Sequence, residues 1–395
     1  MTTDFAATIT VEDIERDPYP IYARLRAESP VAYAPALNSW LVTSWDDVQV
    51  VTTKPDLFRA EDDNAPVVQH FGKPAIIHTD GEVHQELRKG VAPHYAPKRV
   101  AEYIDTLVRP IAMECIAAFD TSKPVDLVDA YFEPISVLAL ARSFGVMDVD
   151  VPTLREWFHG LAMGAINFSG DPERRRICDE TKAKINAAMA PVFDRIEAEP
   201  DSSPLSHMMY HGLPEGERRS REFIMPSVLV TLLGGMQEPG HGACNTMIGL
   251  LENPDQMAKV RADMDGNLKK AVAEGVRWVA PIGTQIRAAT QDIELGGVTI
   301  REGQTVSAVL ASANRDEGVF TDGDRFDMDR TESALASFGF GGHFCAGKWF
   351  ALAQMELAIR ILLETYGEIT LDRDQPYEFF GWEFRAPTSL FVKLT

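Results

Sequence analysis

The stretch of sequence that decides the fold is Phe338–Gly347, which reads FGFGGHFCAG. Three of its glycines precede Cys345, and they let the backbone turn tightly and approach a flat ligand closely. The segment Ala346–Tyr366 carries apolar residues at three- and four-residue spacing, which predicts a helix. Cys345 is therefore expected at a helix N-terminus, where free N–H groups and the positive end of the helix dipole favour a thiolate.

A thiolate held by backbone N–H groups is a suitable axial ligand for haem iron, because it pushes electron density towards the metal and favours O–O cleavage. His343, two residues before Cys345, is placed to reach a haem propionate. The alternative interpretation is a buried structural cysteine in a glycine-rich loop. For a lone cysteine that second interpretation would be preferred, so the residue type and the spacing leave both open.

Most of the remaining chain has helical periodicity, and its strand signals are short. The helical segments are Val100–Phe119, Asp129–Phe144, Arg175–Ile196, Phe223–Leu251 and Ala346–Tyr366. The strand segments are Val31–Tyr33, Ser39–Thr43, Gln285–Ala289, Val298–Ile300, Thr305–Ala311 and Leu390–Lys393. Glycine turns at Leu295–Gly297 and Glu302–Gly303 predict hairpins. Without a linker, residues 1–395 are predicted to form one mainly α domain with a small β-rich lobe.

Composition excludes several classes of protein. The 395 residues carry a formal net charge of −21 at pH 7, which argues against nucleic acid or an anionic membrane as the main partner. The four cysteines stand far apart without a CxxC pair, which excludes a disulfide scaffold, a zinc ribbon and a thioredoxin-like motif. Residues 1–20 lack a signal peptide, and the longest apolar stretch, Ile224–Met236, is shorter than the roughly 20 residues that span a bilayer. We therefore expect a cytoplasmic protein without a membrane anchor.

The ten-residue frame around Cys345 resembles the cysteine loop of the cytochrome P-450 family, and the resemblance extends over essentially the whole chain. It implies the cytochrome P-450 fold, haem b (iron protoporphyrin IX) as cofactor, Cys345 as the iron ligand and monooxygenase activity. Glu274 and Arg277 resemble the family's ExxR motif, whose two side chains share a helix face. Arg330 matches the arginine that completes this ion-pair network, although Gly323 replaces a proline that the family usually has nearby.

Further positions resemble the family's contacts to the haem propionates. One of them, His84, replaces a tryptophan that is common in the family, and a basic residue follows four residues later. The set implied by the resemblance is His84, Arg88, Arg287 and His343.

The run Gly234–His241, which reads GGMQEPGH, departs from the acid–alcohol pair that the family usually carries in its long central helix. Gln237 holds the acid position and Glu238 the alcohol position. Pro239 lacks an N–H, so the carbonyl four residues earlier loses its helical partner and a groove is expected over the iron. We assign Glu238 as the proton donor, with a pKa raised by burial, and Gln237 as the residue that orients water. The alternatives are a kink that only accommodates the haem, or a pair that favours hydrogen peroxide over dioxygen.

The Gln-Glu-Pro-Gly run also resembles one small group within the family. This group comprises bacterial aromatic O-demethylases that act on lignin-derived methoxyphenols such as guaiacol and syringol. The stretches His70–Ile77, Arg155–Phe158 and Gly381–Arg385 resemble the same group. The resemblance implies a pocket for a small flat aromatic molecule, lined by Phe71, Val230, Leu233, Gly234, Ile282, Gln285, Ile286 and Phe384.

One position distinguishes substrates within this group. The guaiacol-type enzymes have a phenylalanine where this chain has Ala165. A smaller side chain leaves room for a second ortho methoxy group. The resemblance therefore favours syringol (2,6-dimethoxyphenol) over guaiacol, with formaldehyde as the second product.

The chain has neither a GxGxxG dinucleotide motif nor a four-cysteine cluster motif. Electrons are therefore expected from a separate flavin and iron–sulfur reductase, as in the group that the chain resembles, unless hydrogen peroxide replaces both dioxygen and the reductase. Lys348, beside the cysteine, is a candidate docking residue for that partner. Two other functions stay open: a P-450 hydroxylase of a terpene or secondary metabolite, and a non-catalytic haem sensor.

Overall fold

The computed structural model describes residues 5–395. Its α-helices are α1 (Val11–Arg16), α2 (Pro18–Glu28), α3 (Trp45–Thr53), α4 (Pro66–Phe71), α5 (Gly81–Val91), α6 (Pro97–Ala117), α7 (Glu133–Ser143), α8 (Val151–Ala165), α9 (Pro172–Ala198), α10 (Pro204–Tyr210), α11 (Arg221–Met236), α12 (Glu238–Glu252), α13 (Pro254–Ala262), α14 (Met264–Trp278), α15 (Leu310–Ala313) and α16 (Lys348–Thr365). Within these residues, no helix has the length and apolar character needed to cross a bilayer.

Within residues 5–395 the strands are short and form four sheets. They are β1 (Val31–Ala34), β2 (Ser39–Val42), β3 (Phe58–Arg59), β4 (Val125–Asp126), β5 (Thr284–Ala289), β6 (Ile293–Leu295), β7 (Val298–Ile300), β8 (Thr305–Val309), β9 (Ile369–Leu371), β10 (Phe379–Phe380), β11 (Ala386–Pro387) and β12 (Phe391–Leu394). The largest sheet has the order β1-β2-β8-β5-β3, in which β2 and β8 are parallel. The prediction of a mainly helical fold with a small β-rich lobe is confirmed.

Helix α12 lies in the middle of the helical part, and every residue from Glu238 to Leu250 is buried. It packs against α7, α14 and α16. The packing against α14 is close, because a Cβ added at Gly275 would lie 2.1 Å from the hydroxyl oxygen of Thr246. Polar side chains on a fully buried helix are usually hydrogen-bonded. A buried polar side chain of α12 that lacks a partner is therefore a candidate for a functional role.

The apolar spacing predicts one helix over Phe223–Leu251, but the structure has two helices that meet at Gln237. The prediction is wrong at this residue for a local reason. Pro239 cannot donate an N–H to the carbonyl of Gly235, so the helical hydrogen-bond ladder is interrupted there. A proline in the first turn of a new helix does not destabilise that helix, because the N–H that proline lacks would have no helical partner there.

The two glycine turns of the β-rich lobe have different outcomes. Strands β6 and β7 pair antiparallel around Gly296 and Gly297, whose φ angles are +56° and +79°, so the first predicted hairpin is confirmed. The second is wrong, because β8 pairs with β2 and β5 and not with β7. At that turn the N–H of Gly303 donates to the carbonyl of Ala289 at 2.9 Å, which directs the chain towards β5.

A buried ion-pair network lies at the end of α14. Arg277 donates to both carboxylate oxygens of Glu274 at 2.7 Å, and Arg330 Nε lies 3.5 Å from Glu274 Oε1. Arg277 also donates to the carbonyl oxygens of Asn314 and Gly323, at 2.8 Å and 2.7 Å. The network therefore joins α14 to the segments that lead into the cysteine loop.

Replacing Glu274 with glutamine should destabilise the protein strongly. The substitution keeps the shape of the side chain but leaves the guanidinium of Arg277 buried without its counter-charge, which costs about 3–5 kcal/mol. Urea unfolding followed by circular dichroism measures the loss. The control is Asp105→Asn, which breaks an exposed pair with Arg109 and should change stability by less than about 1 kcal/mol. Equal effects of the two substitutions would contradict this account of the network.

Candidate active site

A cavity of about 350 Å³ lies between α11, α12, β5 and the stretch Phe338–Gly347. Most residues that the sequence analysis singled out line this cavity. They are His84, Arg88, Ala165, Val230, Leu233, Gly234, Glu238, Ile282, Gln285, Ile286, Arg287, His343, Cys345 and Phe384. The structure thus brings together residues from distant parts of the chain around one enclosed space.

Cys345 exposes its side chain to this cavity. Its N–H donates to the carbonyl of Phe338 at 2.9 Å, and Gly339 and Gly341 both have φ of +66° in the turn before it. The expectation that Cys345 itself begins the helix is wrong by a few residues, because α16 begins at Lys348. Burial raises the pKa of the Cys345 thiol, and it outweighs the N–H groups of Gly347 and Lys348 that favour the thiolate. A coordinated metal ion favours the thiolate form of such a cysteine.

One edge of the cavity is cationic. Arg287 is 2% exposed, and its Nη2 is buried without a hydrogen-bond partner. The ring of His84 stacks on that of His343, with centroids 4.0 Å apart, and the buried Nε2 of His84 also lacks a partner. Burial lowers the pKa of Arg287 to about 10 and that of His84 to about 4. Unpartnered donors beside two arginines favour an anionic ligand at this edge.

The four residues of this edge differ in whether their side-chain nitrogens already have hydrogen-bond partners. Arg88 donates to the carbonyl of Phe344 at 2.9 Å, which ties α5 to the cysteine loop. His343 Nε2 lies 3.0 Å from Asp80 Oδ1, so one ring nitrogen is already engaged with a carboxylate. His84 and Arg287 have the spare donors, and they are the residues best placed to bind the anion.

Glu238 is the first residue of α12 and lines the cavity. It is 6% exposed, and neither of its carboxyl oxygens has a hydrogen-bond partner. Burial, together with the negative charge of Glu133, raises the pKa of Glu238 to about 8. A carboxyl group in this state is protonated at neutral pH and holds a proton that it can donate into the cavity.

The negative charge near Glu238 belongs to Glu133, which contacts two basic side chains. Glu133, at the start of α7, lies 3.3 Å from His241 Nε2 and 2.8 Å from Arg155 Nε. These contacts lower the pKa of Glu133 although burial opposes them. Glu133 therefore stays ionised behind α12, and it disfavours a second negative charge on Glu238.

The remaining wall of the cavity is mainly apolar. Phe384 pairs with Ile282 in an isolated antiparallel bridge, and its ring lies edge-on to that of Phe158 at a centroid distance of 5.8 Å. Ala165, the last residue of α8, is 7% exposed. A Cβ added at Gly234 would meet no atom within 4 Å, so open space lies beside this residue.

The positions of three predicted site residues bear on their roles. Phe71 is not among the residues that line the cavity, and its role as a pocket residue stays a prediction. It ends α4 and packs into the apolar core, after which Gly72, with φ of +88°, turns the chain. Gln237 is 1% exposed and lies behind the lining, where its Nε2 has no partner. The carboxamide of Gln285 lies beside the cysteine loop, because a Cβ added at Gly339 would be 2.9 Å from its Oε1.

Several polar residues of the lining were not predicted from the sequence, among them His78, Thr284 and Glu383. His78 directly follows the stretch His70–Ile77, and Glu383 lies within Gly381–Arg385. Both therefore lie in or beside stretches that resemble the aromatic O-demethylases. A buried carboxyl group has no distinct signal in sequence, because exposed glutamates are far more common.

A comparison with protein families identifies the chain. Residues 37–390 match the model described as cytochrome P450. The chain belongs to the cytochrome P-450 family. It is 30% identical to the cytochrome P-450 monooxygenase PikC of Streptomyces venezuelae, covering 91% of this chain and 86% of PikC. It is also 30% identical to linalool 8-monooxygenase of Pseudomonas putida, covering 87% of this chain and 88% of that enzyme.

Solved structures agree with the family. The P-450 enzyme CYP109B1 from Bacillus subtilis has a TM-score of 0.80 and 26% identity, over 96% of this chain and all of that one. P450BioI, solved in complex with an acyl carrier protein, has a TM-score of 0.85 at 23% identity, over 97% of this chain and all of that one, which supports the fold. This protein is therefore a P-450 monooxygenase, and its cofactor is haem.

The residues present fit a haem. The thiol of Cys345 faces the cavity, which supplies the donor that the iron of this family takes from the protein. The buried, unpartnered donors of His84 and Arg287 fit the carboxylates of haem propionates. The Nζ of Lys348 lies 5.1–5.4 Å from the ring centroids of Phe338, Phe344 and Trp349, and its role in docking a partner stays a prediction.

The burial of Glu238 predicts a specific pH dependence of stability. Because its pKa is about 8 when folded and about 4.5 when exposed, the folded protein binds this proton more tightly than the unfolded chain does. The stabilising effect is complete below pH 4.5 and is lost as the pH rises through 8. The stability of Glu238→Gln relative to the native protein should therefore increase by roughly 1.4 kcal/mol per pH unit between these values. Urea unfolding from pH 5 to pH 8 measures it, and a constant difference would contradict the raised pKa.

Replacing Cys345 with serine should abolish the thiolate character of the haem site. A serine hydroxyl donates less electron density to iron, so the ferrous CO complex should lose the red-shifted Soret band that a thiolate ligand produces. The control is Cys115→Ser, because Cys115 lies outside the cavity lining and should leave the band in place. A red-shifted band in Cys345→Ser would show that another group is the ligand.

Proposed function

We propose that this P-450 O-demethylates lignin-derived methoxyphenols, with syringol preferred and guaiacol also accepted. The products are a catechol- or pyrogallol-type phenol and formaldehyde. The observation that carries the proposal is the partnerless carboxyl group of Glu238 in the cavity wall, at the position where the family usually has an alcohol. The same Gln-Glu pair is the feature by which the sequence resembles the aromatic O-demethylases.

The apolar wall supports a small flat substrate. Phe384 offers a ring for edge-on or stacked contact with an arene, and Ile282 and Ile286 supply aliphatic surface. Val230 and Leu233 flank Gly234, beside which there is open space for a substituent. Such a pocket holds its ligand chiefly by apolar contact and needs only a few polar groups to orient it.

Ala165 supports syringol as the preferred substrate. Its methyl side chain lines the cavity, where the guaiacol-type enzymes have a phenylalanine ring. A second ortho methoxy group needs the volume that this ring would occupy. Guaiacol, which has one methoxy group fewer, still fits but leaves that volume unfilled.

When bound, haem with a thiolate ligand supplies the oxidising chemistry that inserts one oxygen atom into a C–H bond of the O-methyl group. The hemiacetal so formed breaks its C–O bond, which releases formaldehyde and leaves the phenol. Glu238 holds at its carboxyl oxygen the proton that this chemistry consumes. Gln237 stays the predicted water-orienting residue because it directly precedes Glu238 and its Nε2 has no hydrogen-bond partner, although it is not part of the cavity lining. The apolar wall excludes bulk water and fixes the methyl group near the reacting atoms.

Dioxygen with a separate flavin and iron–sulfur reductase is one source of oxidant, and hydrogen peroxide is the other. A buried carboxyl group with a pKa of about 8 serves both, because it donates a proton when neutral and accepts one when ionised. Hydroxylation of a terpene is a second candidate function, which the similarity to linalool 8-monooxygenase favours. Formaldehyde release during turnover separates the two, since hydroxylation of a terpene carbon produces none.

Titration of the ferric protein with syringol and guaiacol tests the proposal. A ligand that occupies the site above the iron displaces water, and the Soret band shifts from its low-spin to its high-spin position. We expect a shift with both compounds and tighter binding of syringol. The absence of a shift with either compound would exclude methoxyphenols as substrates and leave the family assignment unchanged.

The same titration of Ala165→Phe should reverse the preference. The added ring fills the volume next to the second methoxy group, so syringol should bind at least tenfold more weakly while guaiacol changes little. The control is Val83→Phe, which adds the same ring at an exposed position and should affect neither ligand. Equal losses for syringol and guaiacol in Ala165→Phe would show that this residue does not face the second methoxy group.

A further inference from the structure

Glu383 is a second buried acid of the cavity, at a position that the reaction does not use. It precedes Phe384, lines the cavity and is 9% exposed. Burial raises its pKa to about 7. Glu383 and Glu238 are therefore separate acids on the wall of the same cavity, and only Glu238 occupies the position that the family uses for proton transfer.

The contacts of Glu383 leave much of its hydrogen-bonding capacity unused. The hydroxyl of Thr284 lies 2.8 Å from both carboxylate oxygens, and it has one proton to donate. In the part of the chain that the structure describes, Glu383 forms no ion pair. The neighbouring Arg385 is engaged elsewhere, with the carbonyl of Gly381 at 2.9 Å and with Asp17 at 3.7 Å. A buried carboxyl group with one neutral donor is costly unless a further partner completes it.

The surroundings of Glu383 indicate where that partner comes from. The backbone carbonyl of Glu383 accepts a hydrogen bond from Gly283, next to Thr284 on the same wall. Phe168 packs against Trp382, so the end of the cavity near Ala165 lies close to Glu383. The other hydroxyl near Glu383 belongs to Tyr22, which is fully buried and forms no hydrogen bond with the carboxyl. The carboxyl group thus borders the part of the cavity that an arene would fill.

We propose that Glu383, held by Thr284, is the polar anchor that binds the hydroxyl group of a phenolic substrate. This inference rests on the proposed function and adds to it the reason why the substrate is a phenol and not a fully methylated arene. The carboxylate accepts a hydrogen bond from the phenol, and the methoxy group on the adjacent carbon is thereby turned away from Glu383. Glu383 is a specificity-determining residue and takes no part in the oxidation.

The anchor has a predictable pH dependence. An ionised carboxylate accepts a stronger hydrogen bond from a phenol than a neutral carboxyl does, so affinity for a phenol should rise as the pH increases through 7. A simple phenol stays protonated over this range, since its pKa is near 10. The titratable group that interacts with Glu383 is Tyr22 on α2, whose pKa burial raises well above its ordinary value, so Tyr22 does not change its charge near neutral pH.

The test compares ligands that differ only in the hydroxyl group. Syringol is paired with 1,3-dimethoxybenzene, and guaiacol is paired with anisole, so removal of the hydroxyl adds no bulk. Dissociation constants come from the Soret spin-state titration between pH 6 and pH 8, which reports binding and not turnover. In the native protein we expect each phenol to bind about tenfold more tightly than its partner at pH 8, and less so at pH 6.

Glu383→Gln should reduce this preference to within about threefold and abolish its pH dependence. Thr284→Val, which removes the donor that fixes the carboxylate, is the second variant and should also reduce the preference. Tyr22→Phe is the matched control, because it removes the other nearby hydroxyl and should change nothing. Circular dichroism and the ferrous CO spectrum confirm that each variant is folded and holds haem.

Two results would overturn the inference. If the native protein binds the paired ligands equally, or if Glu383→Gln keeps the full preference, Glu383 is not the anchor, and the binding of methoxyarenes leaves the proposed function intact. If no ligand shifts the Soret band of the native protein, the proposed function fails and the anchor fails with it.

Discussion

The buried ion pair between Glu274 and Arg277 is the interaction on which the rest of the site depends. Arg277 also donates to the backbone carbonyls of Asn314, Gly323 and Arg325. The side chain of Asn314 in turn donates to the hydroxyl of Ser337 at 2.7 Å. Ser337 directly precedes the stretch that carries Cys345, and its hydroxyl donates back to α14. Two charges inside the protein therefore fix where the cysteine loop lies relative to α12. The removal of these two charges from water is costly. The hydrogen bonds of the Arg277 guanidinium to Glu274 and to backbone carbonyls offset that cost.

Both basic and acidic side chains line the cavity. Its cationic edge holds buried donors without partners, which favour an anion there. The cavity also contains two buried acids, Glu238 and Glu383, and burial raises the pKa of each towards neutral pH. A protonated carboxyl group costs less free energy to bury than an ionised one. The apolar wall can therefore contain these two acids. In the proposed function the cationic edge would bind the propionates of the haem, and the acids would face a neutral substrate.

Much of the fold was predictable because it rests on local patterns. Apolar spacing located the long helices, and the glycine pair at Gly296 and Gly297 located one hairpin. The break at Gln237 was harder, since the apolar spacing continues across it and only Pro239 interrupts the hydrogen bonds. The hairpin at Gly303 failed because the pairing of β8 with β2 joins segments about 260 residues apart, which no local pattern encodes.

The sequence by itself determined the family and the haem, and it predicted Cys345 as the iron ligand, because the residues from Phe338 to Gly347 are contiguous and their types are constrained by one tight turn. It also determined the unusual Glu238. Only the tertiary structure decided which side chains share the cavity, and it added Glu383 to those expected. Burial and the direction of a side chain depend on contacts between distant segments, and those contacts change the pKa of a carboxyl group far more than its neighbours in sequence do.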